Sequence, residues 1–122
     1  MVALYLKGKI MDNYEKARKA YIEACKGINI KQNEKIVLEC KNSWCFYFAR
    51  DIPGADIKAH EQAILEIKNP HYSFWFARDI VRANIEEHFK VILNSGDKEW
   101  LNLFIEKINY KNTKVEEWLF YI

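Results

Sequence analysis

The chain has 122 residues, half of them apolar, and its 19 Lys and Arg against 17 Asp and Glu leave a formal charge of only +2. That length supports one domain with a continuous core, and so even a charge excludes a global field aimed at nucleic acid or an anionic membrane. Four Trp, seven Tyr and seven Phe exceed what a minimal core needs, so part of the aromatic surplus is expected to face a partner.

The opening "MVALYLKGKI" has no long apolar core and no small-residue cleavage site, and no run in the chain approaches the roughly 18 apolar residues that span a bilayer. Together with an odd number of cysteines (Cys25, Cys40 and Cys45), this gives the expectation of a reducing, cytoplasmic setting and no membrane role. Residues 1–11 read as an extended arm, a short strand or an extra turn of helix. Asp12, with Glu15 three positions on, caps a helix of about 13–26 that Gly27 closes. This end is basic: residues 1–35 hold eight Lys or Arg against four acids, and the remainder eleven against thirteen. Lys16, Lys19 and Lys26 fall near one side of the helix and are candidate contacts for RNA or a single strand. Solvated charge on an amphipathic helix is the plainer reading.

From residue 29 the sequence repeats. Residues 46–65 and 74–93 share 11 identities in 20 positions at a shift of 28, including the two copies of "FARDI". "NIKQNEKIVLECKN" (29–42) is a weaker copy of "DIKAHEQAILEIKN" (56–69) at a shift of 27, and "WLNLFIEKI" (100–108) is a decayed copy of "YSFWFARDI". A period near 28 with helix-forming content signals stacked helix pairs, because one pair cannot bury its apolar side without neighbours. Asp56 and Asn84, the latter boxed by Glu87, start second helices of about 57–67 and 85–93. First helices are expected after Ser43, His71 and Asp97, ending near "DIPG" and "DIVR", and Thr113 with Glu116 caps a final helix of about 114–121. The expectation is an all-α, solenoid-like stack of helical hairpins with about eight helices, forming one domain over 1–122. Repeat-like units span about 29–55, 56–83 and 84–108, between caps at 12–27 and 113–122.

The units "FARDIPGADIKAHEQAILEIKN" and "FARDIVRANIEEHFKVILNSGD" resemble short tandem α-helical repeats of uncharacterised bacterial and phage proteins, over about 29–108. The second unit departs from that pattern at Val81, Arg82 and Phe89, which bears on the geometry of its turn. The resemblance implies an all-helical solenoid and supplies no catalytic residues.

Within the first helices, a 100° wheel assigns Trp44, Tyr47, Phe48 and Ile52, with Tyr72, Trp75, Phe76 and Ile80, to the core. Phe46 and Arg50, with Phe74 and Arg78 one unit on, then form a ladder of rings and guanidiniums on another side. Such a ladder is a candidate partner surface, since aromatics and Arg dominate binding hot spots. The alternative is that Arg50 and Arg78 pair with Asp51, Asp79 or Glu106 between repeats while the aromatics pack between layers. His60 and His88 are expected to make core or interlayer hydrogen bonds. With His71 placed in a loop and no carboxylate or thiol read beside them as a site, no metal is expected there, nor a zinc site at Cys40 and Cys45.

Only four glycines are present, and no phosphate loop, G-x-S-x-G or H-E-x-x-H can be written. The acidic pairs at 86–87 and 116–117 lie in first helical turns, where they complement the helix dipole. The chain therefore reads as non-catalytic and without cofactor, a module binding a protein or ribonucleoprotein. Its size and the phage-type resemblance point to one specialisation, an anti-CRISPR-like inhibitor docking on a host defence nuclease. RNA or single-strand binding is the alternative, and the apolar "VEEWLFYI" leaves a homodimer open.

Overall fold

The computed structural model describes residues 12–121, together with the backbone of Tyr5–Leu6 and Lys9–Ile10, which pair antiparallel as Tyr5↔Ile10 and Leu6↔Lys9. The rest of 1–11, and Ile122, lie outside the described residues. Eight α-helices follow: α1 (Asn13–Cys25), α2 (Ile30–Cys40), α3 (Trp44–Asp51), α4 (Ile57–Ile67), α5 (Pro70–Asp79), α6 (Ile85–Ser95), α7 (Lys98–Lys107) and α8 (Lys114–Trp118), closed by a 3₁₀ turn at Leu119–Tyr121. The odd-numbered helices pack in order as one layer and the even-numbered helices as a second, with α1 on α2, α3 on α4 and α5 on α6 across the layers. The fold is an all-α stack.

Helix starts follow from the caps. Asp12, Asp56, Asn84 and Asp97 each accept a first-turn backbone N–H, the donors that a helix leaves unpaired. Two starts differ from expectation. α5 begins at Pro70, because Asn69 caps the His71 N–H and Pro is preset for the first helical position; His71 is thus helical, not in a loop. Thr113 makes no side-chain cap, its hydroxyl donating to the Tyr110 carbonyl while Glu116 accepts the Asn112 N–H. α2, α4 and α6 all end in a left-handed residue, Lys41 (φ 48), Lys68 (φ 56) and Gly96 (φ 73). One i→i+3 hydrogen bond closes the turn after both α3 (Ala55 to Ile52, 3.2 Å) and α5 (Ala83 to Ile80, 3.1 Å). Gly54 takes φ 78 in the first turn, while Arg82 avoids positive φ in the second, so the Val81–Arg82 departure changes the turn type and leaves its closure intact.

Between the layers Phe48 and Phe76 are fully buried, each stacked on a histidine: Phe48 on His60 at 5.0 Å and 23°, Phe76 on His88 at 5.1 Å and 26°. The two rings thus have matching surroundings one unit apart. Each histidine is held from the preceding even-numbered helix. Glu34 Oε2 accepts from His60 Nε2 at 2.9 Å and from the Asp56 N–H at 2.8 Å. Glu61 Oε2 accepts from His88 Nε2 at 2.9 Å and from the Asn84 N–H at 2.6 Å. The second arm of the expected Asn84–Glu87 capping box is therefore supplied by the neighbouring helix α4, and Glu87 accepts from Lys90 instead. Carboxylates do recur beside the histidines, which corrects the sequence reading.

The staple stops at both ends. Asn33 fills the histidine position in α2 and donates to the Ile28 carbonyl. Phe89 fills the glutamate position in α6 and packs on Phe104 and Trp118. An apolar contact thus replaces the hydrogen bond where the last helix closes the stack.

Candidate functional site

Cys45 and Ala49 on α3, and Ser73 and Ala77 on α5, are buried small residues at i and i+4, and the Cys45 thiol donates to the Val37 carbonyl of α2. Trp44, Tyr47, Tyr72 and Trp75, which the wheel assigned to the core, are half-buried and pack against it. Ile52 and Ile80 are buried as expected.

The four rings form two equivalent pairs, Trp44–Tyr47 at 5.0 Å and Tyr72–Trp75 at 5.6 Å, tilted by 49° and 41°. Tyr14 and Tyr21 of α1 extend the row at one end, 5.6 and 5.1 Å from Trp44. Phe46 links the pairs, 5.2 Å from Tyr47 and 6.1 Å from Trp75. The outcome is a continuous aromatic band along α1, α3 and α5. Tilted contacts of this kind each add roughly 0.5–1.5 kcal/mol beyond burial, so the band is a preformed surface.

Phe46 and Phe74 do not present their rings to solvent. They are 2% and 4% exposed, which corrects their placement in an outward ladder. Phe46 packs among Tyr47, Trp75 and Phe76, and Phe74 on Trp100, and the arginine four residues on adds cover: the Arg50 guanidinium carbon lies 5.4 Å from the Phe46 ring centre, and that of Arg78 5.5 Å from the Phe74 ring centre. Each guanidinium is folded onto its own helix as a lid.

Both lids are pinned by the next residue. Arg50 donates through Nε and Nη2 to Asp51 at 2.7 and 2.8 Å, and Arg78 does the same to Asp79 at 2.7 and 2.9 Å. The sequence suggests pairing between units; the pairs present instead join neighbours within one unit, Arg50 with Asp51 and Arg78 with Asp79. These hydrogen bonds hold both carboxyls below the ordinary carboxylate range. The Tyr21 hydroxyl donates to Asp51 as well, and burial followed by that carboxylate raises its pKa. The band thus carries alternating charges that cancel locally.

Lys16, Lys19 and Lys26 of α1 are all exposed. Beyond the band, Phe120 and Tyr121 are 88% and 90% exposed, while Trp118 and Leu119 pack against the core. Cys45 is buried, its thiol pushed up to about 11 chiefly by that burial. Among the described residues no three His, Cys, Asp or Glu converge on a common point for a metal ion, and no helix is long and apolar enough to cross a membrane. Comparison with protein-family models, with curated proteins and with solved structures finds no match for this chain.

Proposed function

We propose that this chain is a non-catalytic protein-interaction module whose contact face is the aromatic band of α1, α3 and α5. One observation carries the reading: four half-buried Trp and Tyr rings stand in equivalent pairs on α3 and α5, neighbours in the odd layer. Such residues offer large contact area at low entropic cost and dominate binding hot spots. The pairing of each guanidinium with its own carboxylate favours a protein partner over nucleic acid, since a phosphate backbone would meet Asp51 and Asp79 beside every cation. Specialisation as an inhibitor docking on a host defence nuclease or ribonucleoprotein rests on the repeat resemblance and small size.

A photo-crosslinking residue at position 75 tests the reading, with position 66 on the even layer as control. Capture of one partner from position 75 only supports it; equal capture from both positions sinks it. The alternative, RNA or single-strand binding, has one feature in its favour, the exposed Lys16, Lys19 and Lys26. A gel shift that weakens steeply with salt and disappears when the three are changed to Ala would put it first.

A further inference from the structure

The last helix pair closes differently from the others. In the pairs α1–α2, α3–α4 and α5–α6 the two backbones approach within 8 Å, and those of α7 and α8 do not. A groove of about 690 Å³ lies between the end of α7 and the final turn, and Ile105, Ile108, Tyr110, Leu119 and Phe120 give it an apolar lining. Phe120 stands at its edge almost fully exposed, with Tyr121 equally exposed in the same turn. A stack of helix pairs needs a polar outer face on its terminal unit. This one ends in an apolar hollow with an aromatic knob at its rim.

We propose that a second copy of this chain covers this end, the two stacks meeting tail to tail about a twofold axis. Knob and hollow lie on one patch, which is what a twofold contact requires, because each copy then receives what the other offers. Phe120 of each copy fills the hollow of the other. The rim is also its own complement: it carries Glu106 and Glu116 with Lys107 and Lys111, so the twofold sets each sign of charge over its opposite. Among the described residues the other end of the stack offers no such match. There α1 exposes Lys16, Arg18, Lys19 and Glu23, and an apolar hollow seated on them would bury charges without partners. The contact therefore closes as a dimer and does not propagate as a filament. Large aromatic side chains bury about 150–250 Å² each, so four of them with the two hollows reach the lower end of specific interfaces, about 1,200 Å² in total. The dimer is accordingly weak and dependent on concentration. It involves none of α1, α3 or α5, so it goes beyond the interaction reading and presents two aromatic bands in one particle.

Sedimentation velocity of the full chain, from low-micromolar to near-millimolar concentration, tests the proposal. The mass should rise from 14.6 kDa toward twice that value and no further. Phe120→Glu and, independently, Ile105→Glu should each hold it at the monomer. Because Phe120 is almost wholly in solvent in the single chain, its variant should melt at the wild-type temperature when dilute. A photo-crosslinking residue at position 121 should capture the 105–111 segment of a second copy, identified by mass spectrometry of a mixture of isotope-labelled and unlabelled chains. A monomeric mass at the highest concentration, growth beyond the dimer, an undiminished dimer in both variants, or capture of α1 in place of 105–111 would overturn it. A strictly monomeric chain that still captures a partner from position 75 would overturn this proposal and leave the interaction reading standing.

Discussion

Glu61 reaches from α4 to the neighbouring α6 of the same layer, where one of its oxygens accepts from the buried His88 ring at 2.9 Å and from the Asn84 backbone N–H at 2.6 Å. The same carboxylate therefore satisfies a side chain and a helix-start donor that would otherwise be orphaned. His88 is fully buried, and its Nδ1 has no partner among the described residues.

Truncating that carboxylate leaves two donors unpaired in the interior. Glu61→Ala is expected to destabilise the fold by about 3 kcal/mol, since each orphaned buried donor costs roughly 1–3 kcal/mol. Glu61→Gln keeps an acceptor oxygen and should cost less than half as much. Urea denaturation of both variants checks the ratio. Equal losses would show that the bulk of the side chain matters and its acceptor does not.

Stability should depend on pH through the equivalent histidine. Burial lowers the His60 pKa below the usual 6.5, and Glu34 offsets this only in part. As pH falls through 6.5 the unfolded chain takes up a proton that the folded chain refuses, so stability declines below that point and levels off once the folded ring protonates. Above about pH 7 this contribution is flat. His60→Asn, which copies Asn33 at the corresponding position of α2, should shrink the slope. Urea midpoints measured between pH 5 and 8 decide it; a slope unchanged in the variant would assign the effect to other groups.

Much of this organisation was legible in the sequence, and the limits have physical causes. The cap letters Asp12, Asp56, Asn84 and Asp97 mark helix starts because they act locally, on their own first turn. The staple was not legible, although Glu34 and Glu61 stand at the same place in their units, because its partners lie 22–27 residues away. The wheel put Trp44, Tyr47, Tyr72 and Trp75 in the core, whereas they pack half-buried against it, because angular spacing marks a face without showing how far the neighbouring helices cover it. Cys45, Ala49, Ser73 and Ala77 carried the better signal: small residues recurring at i, i+4 mark the close-packed side. Nothing local announces that Arg50 and Arg78 fold back over Phe46 and Phe74, since an Arg–Asp dipeptide is equally compatible with an outward side chain.

The left-handed helix ends supply a stabilising substitution. Lys68 holds φ 56 at the position where α6 has Gly96 at φ 73, and a residue with a Cβ pays roughly 1–2 kcal/mol there. Lys68→Gly should raise stability by about 1 kcal/mol, the residue-specific strain being partly offset by glycine's greater freedom when unfolded. Gly96→Lys should lower it by a similar amount. A melting point that moves in the same direction for both would contradict the shared geometry.

Phe46 and Arg50 are neighbours in space with opposite energetic roles, and alanine substitutions should separate them. Phe46 is buried among Tyr47, Trp75 and Phe76, and removing such a ring from a core costs about 3–5 kcal/mol. The Arg50 side chain is 40% exposed, and its pairing with Asp51 is of the surface kind, generally worth no more than about 1 kcal/mol. Phe46→Ala should therefore lower the melting temperature sharply, and Arg50→Ala should shift it by only a few degrees while uncovering the edge of the Phe46 ring. If the band is the contact face, Arg50→Ala should also change partner affinity without a matching loss of fold. A large loss of stability in Arg50→Ala would instead make the guanidinium a structural clamp and remove it from the candidate surface.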